Sequence, residues 1–133
     1  MKKYSVEEIK GNSISQLIEK GMLPKNGNQT YLMPTGQFEI MLQNSTDFID
    51  TVASFTSKPL KGGTEKQIKW AESIRLEKAC ELAYRIVELN YNIQVGLLPG
   101  NAIDEISSLS EKVEYFKNND SAIAYIDKRY DNE

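Results

Sequence analysis

The chain has 133 residues, 40% of them hydrophobic and 26% charged, with a net charge of −3, a size and balance that fit one folded domain and not a disordered chain. It contains no histidine and one cysteine, Cys80, which excludes His-containing metal sites, Ser-His and Cys-His nucleophile pairs and any intramolecular disulfide. A pI near 5.1 lacks the excess of Lys and Arg that broad binding to a phosphate backbone needs.

The first elements read as two short helices. Ser5 stands three residues before Glu8, and Ser13 three before Gln16; both are capping-box spacings, in which each side chain satisfies a free N–H at a helix start. Gly11 and Gly21 follow where left-handed C-terminal caps are favoured. Ile14, Leu17 and Ile18 give the second helix its apolar face.

In "NQTYLMPTGQFEIMLQN", Phe38, Ile40 and Leu42 alternate with Glu39, Met41 and Gln43. A period of two predicts a strand over about Gln37 to Gln43, paired through the turn "PTG" with another over Gln29 to Met33, a small β-hairpin. "NSTDFIDTVASF" follows, with Ser45 or Thr46 as N-cap, Asp47 in the first turn and Phe48, Ile49, Val52 and Phe55 on one face, the pattern of an amphipathic helix.

"TSKPLKGG" is the clearest break in the chain. It predicts a linker over about residues 57–63, between an N-terminal α+β part (1–56) and a C-terminal helical part (64–133) of one domain. Thr64 and Gln67 then form a third capping box, opening a helix from Glu65 to about Asn90, roughly 39 Å long at 1.5 Å per residue. Its buried stripe is Ile68, Ala71, Ile74, Ala79, Leu82, Ile86 and Leu89, with Cys80, Ala83 and Val87 beside it. That second apolar side suggests a homo-oligomer formed through the long helix. Glu65 with Lys69 and Glu81 with Arg85 have the i, i+4 order of an exposed face. After a turn-rich connection, "YNIQVGLLPGN", a helix from about Ala102 to Asn118 carries Ile103, Ile106, Leu109, Val113 and Phe116 at spacings of three and four, and "SAIAYIDKRY" gives a last short helix with Ile123 and Ile126 inward. The fold class expected is α+β, mostly α.

Four features bear on function. Trp70 is the only tryptophan, and it sits beside Lys66 and Lys69 in the second turn of the long helix. An exposed tryptophan there would make a stacking platform for a base or an anchor for a partner; a buried one would fasten the last helix to the long one. Lys58, Lys61, Lys66 and Lys69 gather around Gly62 and Gly63 at a helix start, a candidate contact for an anion or nucleic acid together with Trp70, although the spacing is not that of a phosphate-binding Walker loop. Residues 96–133 carry four Lys/Arg against eight Asp/Glu. Of these acids Asp104, Glu105, Glu111, Glu114 and Asp120, with Asp127, Asp131 and Glu133 beyond them, form a candidate surface for a basic partner. Finally, Ser13 to Ile40 admits a recognition helix followed by a β-wing, as in winged DNA-binding domains, though its helix lacks the side chains that read base edges.

Neither the N-terminal "MKKYSVEEIKGNS" nor any later stretch has the apolar run of a signal peptide or a membrane span. One cysteine fits a reducing compartment, so the cytoplasm is expected, with no membrane, cofactor or metal.

"TEKQIKWAESIR", Thr64 to Arg75, together with "AYIDKR", Ala124 to Arg129, resembles a module of uncharacterised proteins from phages, plasmids and integrative elements of Gram-positive bacteria. That module combines Thr/Ser, Lys-Gln-Ile/Val, an aromatic, Ala, an acid and Ile-Arg with a C-terminal aromatic pair followed by Ile-Asp-x-Arg. Here Ala124 stands where tryptophan often forms half of the pair. The resemblance implies a mobile element and no particular reaction. In the pattern it implies, Trp70 and Tyr125 pin the last helix to the long one, while Asp127 and Arg129 bond to Arg75 or a helix end. Taken with the composition, the expected function is that of a non-enzymatic accessory protein that binds a host defence protein or nuclease complex stoichiometrically, as an anti-CRISPR inhibitor does. A small nucleic-acid-binding or regulatory module working through Lys58 to Trp70 is the alternative.

Overall fold

A computed structural model describes residues 3–97 and 100–127. Seven α-helices and one 3-10 helix make up the regular structure of these residues: α1 (Val6–Ile9), α2 (Ile14–Glu19), a 3-10 helix (Gly27–Leu32), α3 (Gln37–Asn44), α4 (Thr46–Thr56), α5 (Glu65–Gln94), α6 (Ala102–Asn118) and α7 (Ala122–Asp127). The chain divides into two compact units, one of residues 1–51 with 84–100, the other of residues 52–83 with 101–133. α4 and α5 each contribute to both. Residues 57–63 fall within the second unit.

The hairpin is absent, and with it the α+β class: where two strands were expected, the described residues form the 3-10 helix and α3. The reason lies in which residues are buried. Gln37, Met41, Leu42 and Ser45 are shut away from water, with Phe38 half-buried, while Glu39 and Gln43 face solvent. Burial at 37–38, 41–42 and 45 follows the 3.6-residue repeat of a helix. The alternating reading had to place apolar Met41 on the wet face and polar Gln37 outside the core. Gln37 is instead wholly buried, its Oε1 accepting the Tyr4 N–H at 3.2 Å. Gly36, at φ 78°, takes the left-handed conformation that turns the chain into α3. Without strands, the β-wing of the DNA-binding reading is lost too.

The first unit packs around Ile9, Ile14, Leu17, Leu23, Met41, Leu42, Val87 and Tyr91. Both capping boxes form: Ser5 with Glu8, and Ser13 with Gln16. Tyr91, on the last turns of α5, is fully buried, meets Phe38 edge-on with ring centroids 5.3 Å apart and donates its hydroxyl to the Pro24 carbonyl at 2.8 Å. Burial pushes its pKa up to about 12.

α5 runs 30 residues, four past its expected end. Ala71, Ala79, Leu82 and Leu89 of the predicted stripe are buried, and so are Ala83 and Val87 beside it. The apolar side that suggested self-association is thus covered within the chain. Cys80 next to them is half-buried; burial, and then the Glu81 carboxylate, hold its thiol above the ordinary value, so little of it is thiolate. No helix among the described residues is long and apolar enough to cross a membrane.

Candidate partner-binding surfaces

Both charged stretches singled out in the sequence lie in the second unit. Residues 57–63 form a strap held at several points. Leu60 is buried. The Lys61 N–H donates to the Asp120 carbonyl at 2.7 Å and the Lys61 carbonyl accepts from the Ala122 N–H at 2.8 Å, a parallel bridge centred on Lys61 and Ser121. Above this backbone pairing the Lys61 ammonium stands 3.6 Å from the Asp120 carboxylate, an exposed pair of small energetic weight. Lys58 Nζ reaches the Lys117 carbonyl at 3.3 Å, in the last turn of α6, where the helix dipole favours a cation.

Arg75 anchors the strap's other end. Its buried guanidinium donates to the Lys58 carbonyl and, at 3.0 Å, to the Thr56 carbonyl that ends α4. The sequence pattern marked Arg75 as the close of a motif and had Asp127 and Arg129 bond to Arg75 or to a helix end. Asp127 is exposed, and Arg129 lies outside the described residues. The signal that would have found this role is Pro59, which stops the chain from continuing α4 and leaves backbone carbonyls at the helix end that need donors.

Gly62 and Gly63, at φ 82° and 95°, let the strap turn into α5. A Cβ on Gly63 would also stand 2.7 Å from Gln67 Oε1, the atom that accepts the Thr64 N–H at 2.8 Å. Thr64 Oγ1 in turn accepts the Gln67 N–H at 3.1 Å. The predicted capping box therefore forms, and it occupies two donors that an anion at this helix start would need.

Of the proposed basic cluster, Lys58 and Lys61 contact the end of α6 and the segment after it while staying exposed. Lys66 and Lys69 remain on the exposed side of α5 with Trp70, which is 48% exposed. The aromatic fastener of the last helix is Tyr125. It is fully buried, 5.7 Å from Tyr115 and 6.2 Å from Phe116 between ring centroids, with Phe55 stacked on Phe116 at 5.1 Å. Its hydroxyl donates to the Asn119 carbonyl at 3.3 Å. Burial, and next the neighbouring Tyr115, push its pKa up to about 12 against an opposing pull from Arg75. This cluster joins α4, α6 and α7, and spacing along any one helix gives no sign of it.

The acids divide differently. Asp120 is half-buried and paired with Lys61; Glu105 is half-buried. Asp104, Glu111 and Glu114 are exposed on α6, Glu114 receiving an amide hydrogen bond from Asn118 at 3.3 Å. Asp131 and Glu133 lie outside the described residues. Among the described residues no three His, Cys, Asp or Glu side chains converge as metal ligands. The stripe predicted for α6 is only half used: Leu109 and Phe116 are buried, whereas Ile106 is 46% and Ile103 82% exposed. Ile123, also expected inward, lies at the surface.

Comparison with protein-family models, with curated proteins and with solved structures finds no match for this chain.

Proposed function

We propose that the protein acts by stoichiometric binding and not by turnover, docking its acidic α6 surface on a basic protein whose own task is to handle nucleic acid. The reading rests on one observation: Asp104, Glu111 and Glu114 stand exposed on a helix that carries no Lys or Arg from Ala102 to Glu111. A one-signed surface of this kind steers association with a cationic groove and disfavours nucleic acid itself. The resemblance of Thr64–Arg75 to mobile-element proteins supports the choice of partner, a nuclease of a bacterial defence system, and makes the protein an anti-defence factor of the anti-CRISPR type.

The experiment is a titration of the purified protein against CRISPR nucleases and restriction endonucleases of a Gram-positive host, reading cleavage of a DNA substrate. Cleavage is expected to stop near one equivalent. Full cleavage by every nuclease at tenfold excess would rule the activity out. The half-exposed Trp70 beside Lys66 and Lys69 supports a second reading, contact with single-stranded nucleic acid through stacking. Salt-dependent binding of an oligonucleotide, abolished by Lys66→Glu with Lys69→Glu, would replace the first reading with this one.

A further inference from the structure

The proposed function leaves open which part of the acidic surface makes contact and what it recognises. We infer that the first half of α6 is the docking element itself, and that its occupant is a protein segment presenting an apolar socket bordered by Lys or Arg; this rests on the binding function proposed above.

Two facts about one helix carry the inference. Ile103 is 82% exposed and Ile106 46%, while Leu109 and Phe116 of the same helix are buried. The unit thus covers the later turns of α6 and leaves the first turns bare. A scattered surface isoleucine needs no account, but Ile103 and Ile106 are neighbours three apart on a helix and form a two-residue anchor. Around them, Ile103, Ser107, Ser110 and Glu114 succeed one another at spacings of four, three and four, all exposed. Asp104 and Glu111, seven apart and also exposed, run beside that line. The first cation after Asn101 is Lys112, which is half-buried.

Asp104 and Glu111 stand three and four residues from Ser107, so a group that covers Ile103 and extends along the line over Ser107 borders both acids. An acidic or neutral occupant would desolvate those carboxylates without compensation; a basic rim supplies the compensating charge. A second copy of α6 meeting the first face to face would set the acids of one against those of the other, so self-association through this face is disfavoured. The serines between the anchors are small enough for close approach, and the first-turn acids Asp104 and Glu105 are stabilised where they stand by the helix dipole.

The test uses the whole protein and a defined probe: an amphipathic helical peptide of about twenty residues made of Leu and Lys, long enough to hold a helix, against a Leu and Gln peptide of the same pattern. The expected result is saturable one-to-one binding of the Leu/Lys peptide, weaker at high salt, with amide shifts in two-dimensional NMR concentrated on residues 102–111. Ile103→Ser with Ile106→Ser, and separately Asp104→Lys with Glu111→Lys, should each weaken it roughly tenfold. Ile103→Ser alone, at so exposed a position, keeps the fold and is expected to lose severalfold.

Equal binding of the Leu/Gln peptide would overturn the basic rim. Unchanged affinity in both double variants, or shifts lying elsewhere, would overturn the surface. So would a dimer of the wild-type protein that Ile103→Ser dissociates, since the occupant would then be a second copy. Nuclease inhibition that survives Ile103→Ser removes this surface but keeps the proposed activity. Peptide binding on α6 with no nuclease affected does the reverse.

Discussion

The strap at residues 57–63 and the opening turns of α6 look alike as sequence, each a short charged stretch with one or two apolar residues. Their structural uses are opposite. In the strap, Leu60 is buried, the Lys61 backbone is paired on both sides, and the lysine heads meet Asp120 and the end of α6. In α6, Ile103 stands in water and Asp104 and Glu111 are left exposed. Charge in a sequence thus nominates a surface, but what the neighbouring backbone and carbonyls require decides whether that charge is free to meet a partner.

Substitutions sharpen this contrast in descending order of effect. Leu109→Ala, one turn beyond Ile106, removes a buried side chain and is expected to cost about 2–4 kcal/mol in urea unfolding; a loss comparable to that of an exposed site would erase the division drawn between the bare and covered positions of the helix. Arg75→Met strips donors from the Thr56 and Lys58 carbonyls, with an expected loss of about 2 kcal/mol. Gly63→Ala forces a side chain into left-handed backbone and against Gln67, costing about 1–2 kcal/mol; full stability would mean the strap is slack.

Alkaline titration addresses the segment that the strap holds. Tyr125 and Tyr91 have pKa values raised to about 12, as does Tyr84, where burial comes first and Glu88 and Glu39 add to it. Between about pH 10 and 12 the unfolded tyrosines lose protons that the folded ones keep, so stability is full below 10 and falls as pH rises through that window. Tyr125→Phe should make the fall shallower; an unchanged slope would mean Tyr125 titrates normally. Smallest of all, Ile103→Ser and Asp120→Asn should each stay within about 0.5 kcal/mol of wild type in thermal unfolding.

Much of the helical plan was legible because it is local. Ser5–Glu8, Ser13–Gln16 and Thr64–Gln67 are each settled within four residues, and all three boxes form. The alternation at 38–43 misled because six residues are too few to separate a period of 2 from one of 3.6 when Met41 is assigned to the polar side and Gln37 to the surface. Neither Arg75 on the end of α4 nor Tyr125 against Tyr115 and Phe116 was legible, since each joins positions distant in the chain. At the surfaces, the sequence named the lysines and acids. It gave no sign of which lysines the fold engages, and it placed Ile103 inside.

The pairing of Lys61 with residues 120 to 122 has a further consequence for how the molecule opens. These two stretches lie sixty positions apart in the chain, and the Lys61 N–H and carbonyl are bonded to Asp120 and Ala122, so these bonds break together when either stretch lifts. Native-state hydrogen exchange should therefore find the Lys61 and Ala122 amides leaving together, at one rate and with one denaturant dependence, as a single cooperative opening below the global one. Trypsin should sense the same event at the Lys61–Gly62 bond, slow to be cut while α7 is seated and fast once it lifts.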